Sequence, residues 1–332
     1  MNEQTVLGIP DAEDLSASAA ASDQAQGSDQ PRSQVQDQDE AVAQHKGAKT
    51  MVERIFHGIF FTCGMAAVAF ALGITAYLIV SGIPAIAQVG PVEFLLGQTW
   101  SPSNNRFGIL PFILTSVYGT LGALVLGLPL GLFTAMFLSK YAGKRSGRVI
   151  RSAVELLAGI PSVVYGLVGM IVLVPAIQAA FSLSSGATLL AAILVLTVMI
   201  LPYIVNVSTI ALDAVPKEYE EGSLALGATK TETFFKVSLH AARSGVATAV
   251  IQGVGRALGE AMAIIMVAGN VANMPGLFES VRFLTTAIVS EMSYASYGSL
   301  HRDALFSIAL VLFAFIVVVN VILNLIARRK ED

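Results

Sequence analysis

Residues Val250–Asn270 read "VIQGVGRALGEAMAIIMVAGN", and this stretch decides how the chain is read. It is apolar enough to cross a membrane, yet it carries Arg256 and Glu260 near its middle. Charges at such depth are costly and ordinarily face a cavity or a partner, so the stretch is either a lock between helices or part of a path. Which of the two applies depends on the rest of the chain.

Composition supports a membrane reading. The 332 residues are 55% hydrophobic and 13% charged, with a mean hydropathy of +0.70. Soluble domains carry about a quarter charged residues, roughly twice this fraction. The net charge of −3 is concentrated in an acidic beginning. Residues 1–52, including "ASDQAQGSDQPRSQVQDQDEAVAQHKGAKT", lack aromatic residues and a periodic apolar pattern, and are expected to form a disordered cytosolic tail. They do not have the form of a secretory signal, since no apolar core follows a basic start. The single cysteine, Cys63, lies in an apolar run and offers neither a disulfide nor a metal site.

Residues 53–332 are expected to form an all-α transmembrane domain. A charge-free run of about 20 residues spans the hydrocarbon, and six such segments are expected, at 56–82, 109–138, 154–176, 187–212, 245–270 and 303–327. Lys and Arg cluster before the first, between the second and third, between the fourth and fifth, and after the sixth. The positive-inside rule then places both termini in the cytosol.

In the fifth segment Arg256 lies eleven residues beyond Gly245, roughly 16 Å deep at 1.5 Å per residue. On one continuous helix Gln252, Arg256 and Glu260 share a face. Gly253, Gly255, Ala257, Gly259 and Ala261 surround them, and small residues let a helix or a solute approach closely. One reading is a structural ion pair. The other is a pathway for an anion, because a guanidinium fork suits a tetrahedral oxyanion and a nearby carboxylate keeps its grip weak. The residues alone leave both open.

Between the fourth and fifth segments, residues 213–245 read as a cytosolic pair of short helices. Pro216 suits a helix start, Gly227 a left-handed stop, and Thr229 with Glu232 a capping box. The spacing Glu221, Gly222, Ser223, Gly227, then Val237 and Leu239, resembles the coupling loop of binding-protein-dependent ABC importer permeases. Gly-Ser replaces the usual Ala-Ala pair, and His240 stands where that family has proline. No phosphate-binding G-x-x-x-x-G-K-[ST] loop occurs, so a partner must hydrolyse ATP.

Three further stretches, "TWSPSNNRFGILPFILTSVYGTL", "LAGIPSVVYGLVGM" and "GRALGEAMAIIMVAGN", resemble PstC-type phosphate permease subunits, with the resemblance running over about 55–327. That resemblance implies a type I importer permease fold and assigns the charged residues of phosphate passage to Arg256 and Glu260. It also implies three kinds of partner besides the bilayer. These are a second permease subunit (PstA-like), two copies of a cytosolic ATPase (PstB-like), and an extracytoplasmic phosphate-binding protein (PstS-like). It implies no cofactor, no catalytic or metal site and no nucleic acid.

Pro161, in "LAGIPSV", is expected to kink or break the third segment. A permease for another oxyanion, of the molybdate or sulfate type, remains an alternative. A secondary transporter would need coupling carboxylates and repeats that are not visible. A membrane enzyme would need a clustered nucleophile or metal set, whereas His57, His240 and His301 lie scattered at segment edges.

Overall fold

The computed structural model describes the backbone of residues 32–328 and the side chains of residues 53–325. The chain divides into two compact units, 1–73 and 74–332. Of the expected tail, residues 1–31 lie outside the described residues, and the helix that follows begins at Arg32.

The elements follow in order. Helix α1 spans Arg32–Val89, and a short α2 spans Pro91–Leu96. A hairpin pairs β1, Trp100–Ser101, with β2, Arg106–Phe107. Helix α3 covers Leu110–Met136, extended by a π-helical turn over Phe137–Tyr141. Helix α4 covers Lys144–Gly159. After Pro161 come α5, Ser162–Val168, a π-helical turn Gly169–Leu173, and α6, Val174–Phe181. Helix α7 is Leu189–Asp213. The cytosolic loop holds α8, Lys217–Ala225, α9, Lys230–Thr233, a π-helical turn Phe234–Ser238, and α10, Leu239–Ala241. Then follow α11, Arg243–Leu258, α12, Met262–Val267, α13, Leu284–Glu291, and α14, Leu300–Arg328.

Five helical stretches among the described residues are long and apolar enough to cross a membrane: Glu53–Val89, Leu110–Tyr141, Ser162–Phe181, Leu189–Asp213 and Leu300–Leu325. Two expectations need correcting. The third crossing starts at Ser162 and not at 154, because Pro161 cannot continue a helix and the preceding residues belong to the separate α4. The fifth segment is not one helix. It stops at Leu258 and resumes at Met262, so it lacks the length of an unbroken crossing.

The centre of the 74–332 unit is the contact of α3 with α7, and glycine makes it close. A methyl at Gly122 would lie 2.7 Å from Ile193, one at Gly127 would lie 2.8 Å from Ile200, and one at Gly131 would lie 2.5 Å from Ile204. All are shorter than real carbon contacts, so each isoleucine fills a notch that only glycine leaves. The same device recurs where α5 meets α12, since a methyl at Gly166 would lie 2.8 Å from the Ala263 Cα. A core of Leu196, Met199, Ile200, Ala257, Ile264 and Val267 results.

Residues of the segments 91–107 and 269–299 contribute to buried packing. Phe94, Phe107, Ile109, Phe112, Leu284 and Leu305 form a second buried cluster. Trp100 stacks edge-on against Phe107 at 5.4 Å. Tyr77 of α1 meets Phe306 of α14 edge-on at 5.6 Å, and the Ser307 hydroxyl donates to the Gly82 carbonyl.

Candidate functional site

The break in the fifth segment builds the site. Helix α11 ends on Gly259, and the next residue, Glu260, turns back to serve α12. Its Oε1 accepts the Ala263 backbone N–H at 3.1 Å. This is the position where a carboxylate satisfies an orphan donor and the positive end of a helix. Its carbonyl accepts the Thr285 hydroxyl at 2.7 Å. Glu260 is therefore fixed from both ends and is 3% exposed.

Arg256 pairs with it, Nη1 to Oε2 at 2.9 Å, but the arginine side chain is 33% exposed. Nε and Nη2 have no hydrogen-bond partner among the described residues, so half of the fork remains available. Gln252 is exposed, a methyl at Gly255 would meet nothing within 4 Å, and Gly259 is exposed. Positions 252, 255, 256 and 259 follow helical spacing, so the open stripe is Gln252, Gly255, Arg256 and Gly259. Gln252 and Arg256 share the face as expected. Glu260 keeps its ion pair but is not on the stripe, a correction that follows from the helix ending before it.

The arrangement holds a cation with a buried counter-charge on one side and open space on the other. It can present guanidinium N–H groups to an anion. Arg256 and Tyr203 also lie within electrostatic reach of the Tyr165 hydroxyl, which donates to the Leu157 carbonyl at 2.7 Å. A groove of about 770 Å³, lined by residues such as Leu126, Val164, Val172 and Val198, has no charged side chain in its lining and is separate from this stripe.

The helical pair of residues 213–245 forms as the sequence indicates. Thr229 and Glu232 make a reciprocal capping box. The two Thr229 hydrogen bonds and the nearby Lys236 lower the Glu232 pKa below its ordinary value. Gly227 has φ +88°, the left-handed region. Glu221 and Gly222 are exposed, while the Ser223 hydroxyl pairs with that of Thr233 at 3.0 Å. Val237 is half-buried, and Leu239 packs against the cluster of Ala135, Leu212, Val215, Phe234 and Ala242. His240 is exposed.

The neighbouring acid, Glu220, was not singled out by sequence, yet it ties the loop down. It pairs with Lys140 at the end of α3 and accepts the Ser238 hydroxyl at 2.8 Å. Ser139 reaches Asp213 at 2.6 Å, and Tyr141 reaches Thr231 at 3.2 Å. Motion of the loop therefore reaches α3 and α7 directly. Leu226, 91% exposed, leaves an apolar tip.

Sequence reasoning also missed a second charged cluster. Glu291 accepts from Trp100 Nε1 at 3.0 Å and lies 2.8 Å from His301 Nε2. It also pairs with Arg282, whose Nη2 donates to the Asn270 carbonyl at 2.8 Å. Trp100 lies 191 positions from Glu291, and Arg282 and His301 lie 9 and 10 positions from it across a helix end, so no helical periodicity marks the cluster.

These features define a multi-pass helical membrane protein with a buried charged site and a loop clamped to its long helices. The profile of the family described as "Binding-protein-dependent transport system inner membrane component" matches residues 127–332, and the chain belongs to that family. It is the permease subunit of an ABC importer in the cytoplasmic membrane and not its ATPase.

The chain is 40% identical over 281 residues to the "Probable ABC transporter permease protein YqgH" of Bacillus subtilis, covering 82% of this chain and 90% of that protein. It is 35% identical over 260 residues to the "Phosphate transport system permease protein PstC" of Pasteurella multocida, covering 72% and 80%. Among solved structures it resembles a chain of a bacterial alginate ABC transporter in complex with its alginate-bound periplasmic protein. That similarity has a TM-score of 0.57 at 14% identity, covers 82% of this chain and 93% of that one, and establishes the fold alone.

Proposed function

We propose that this permease moves inorganic phosphate inward, with Arg256 as the cation that meets the anion along its path. The observation that carries the proposal is the asymmetry of the ion pair, in which Glu260 is buried and doubly held while Arg256 is one-third exposed with two free nitrogens. A phosphate oxygen reaching Nε and Nη2 gains charge-assisted hydrogen bonds without breaking the Arg256–Glu260 contact. The fixed negative charge of Glu260 offsets part of that attraction, so the anion is held briefly and released. The PstC name of several relatives supports phosphate over other oxyanions.

The reading includes six crossings with both termini in the cytosol, the broken α11–α12 segment serving as the fifth. A related second permease subunit then faces the open stripe. Two ATPase copies engage the exposed tip of the loop at Glu221, Gly222 and Leu226, and an extracytoplasmic phosphate-binding protein delivers the substrate. Closure of the ATPase pair moves the loop, and the Lys140–Glu220 tie passes the motion to α3. Competition tests the substrate: labelled phosphate uptake by cells relying on this importer should be unaffected by excess sulfate or molybdate. Inhibition by either at equimolar concentration would assign the path to that oxyanion instead.

A further inference from the structure

Helix α4 joins two crossings that end and begin at the same membrane surface, Leu110–Tyr141 before it and Ser162–Phe181 after it. Its 16 residues therefore run near that surface rather than through it. Within the helix only Val154 is buried, and the contact it makes, with Ile150, is to Leu138 and Val205. Two other faces are uncovered.

At about 100° per residue, Val149, Ala153 and Leu156 fall within about 60° of one another. This face is open and apolar, with Val149 64% and Leu156 73% exposed. Beside it lie Lys144, Arg148 and Arg151, with the one acid of the helix, the exposed Glu155, among them and Arg145 at the boundary between the two faces. Lys144, Arg145 and Arg148 are exposed and have no ion-pair partner among the described residues, while Arg151 reaches Asp213 at 3.9 Å. An open groove of about 670 Å³ lies at the N-terminal end of the helix, lined by Gly143, Lys144, Arg145, Ser146, Val149 and Ile150.

We propose that this groove is a binding site for an anionic phospholipid of the cytoplasmic leaflet. The charge is complementary to a lipid phosphate, since clusters of Lys and Arg beside a crossing attract anionic headgroups. The apolar strip distinguishes a lipid from other anions. A soluble anion, or an acidic protein surface held by the cations alone, leaves Val149 and Leu156 in water, whereas acyl chains cover them. An amphipathic helix with cations on one face and aliphatic side chains on the next has the form of an interfacial helix. The site thus fastens the connection between the second and third crossings to the membrane plane, next to the loop that Lys140 anchors. The leaflet rests on the topology proposed above.

The test is native mass spectrometry of the purified full chain in micelles containing equal amounts of phosphatidylglycerol and phosphatidylcholine. It reads lipid retention and not transport or orientation, so failure of the transport reading does not alter its outcome. The native chain should retain phosphatidylglycerol over phosphatidylcholine by at least about tenfold. Lys144→Gln, Arg145→Gln and Arg148→Gln together should bring the ratio close to one. Each single change should lower it about threefold, which keeps the test available if the triple variant is poorly folded. Val149→Gln with Leu156→Gln should reduce retention of the anionic lipid although every cation remains. The proposal fails if the native chain shows no preference or if charge removal leaves the ratio unchanged. Displacement of the lipid by inorganic phosphate at constant ionic strength would also overturn it, because the groove would then be a free-anion site.

Discussion

The structural half of the ion pair can be separated from its charge by comparing Glu260→Ala with Glu260→Gln. Glu260 is 3% exposed; its side chain forms an ion pair with Arg256 at 2.9 Å and accepts the Ala263 N–H at 3.1 Å. Alanine removes both acceptors and leaves a buried donor unpaired. Removing one partner of a buried pair costs about 3–5 kcal/mol, and the exposure of Arg256 places this case near about 3 kcal/mol. Glutamine keeps an acceptor for Ala263 and loses only the charge. Its cost is the difference between a charge-assisted and a neutral hydrogen bond, about 1 kcal/mol. At about 2–4 °C per kcal/mol, the two variants should melt about 4–8 °C apart in thermal unfolding of the purified chain in micelles. If glutamine were as damaging as alanine, the charge and not the capping bond would fix the break. If both melted with the native chain, Glu260 would not hold the α11–α12 junction, and the reasoning would be refuted.

Two other outcomes follow from the packing and the loop. Gly131→Leu should lower the amount of inserted protein, since its first carbon would lie 2.5 Å from Ile204, which is fully buried; overpacking of this kind costs about 1–3 kcal/mol. Gly255→Ala, with nothing within 4 Å, should leave the amount unchanged in the same membrane-fraction blot. Gly227→Leu forces a branched residue to φ +88° with no crowding around it, at about 1–2 kcal/mol of backbone strain. It should abolish uptake and weaken ATPase co-purification while insertion persists, and survival of both activities would reduce the loop to a solvated hairpin.

Much of this architecture was legible because membrane crossings and helix ends follow local rules. The charge-free runs mark the second, fourth and sixth crossings to within a few residues, and Thr229 with Glu232 marks a helix start by its capping box. The third crossing was placed too early because the charge-free run begins before Pro161, although the break at that proline was itself expected. The break at Gly259-Glu260 was hidden in a run of mostly small and apolar residues, although a glycine followed by an acid can end one helix and begin another. That single misreading moved Glu260 onto the stripe. The Glu291 cluster and the Lys140–Glu220 tie join residues 191 and 80 positions apart, and no periodicity carries such contacts. The open stripe was read correctly at Gln252 and Arg256, whose four-residue spacing survives within α11.

The central claim is that Arg256 meets the anion, and labelled phosphate uptake at matched protein levels tests it most directly. Two variants are compared with the native chain, Arg256→Gln and the exchange Arg256→Glu with Glu260→Arg. The exchange retains an ion pair but moves the positive charge about 6 Å along the chain direction, off the open stripe. The account predicts that uptake collapses in both, with the Arg256→Gln protein still inserted. Near-native uptake in either variant would contradict it, because the pair would then serve only to hold helices together.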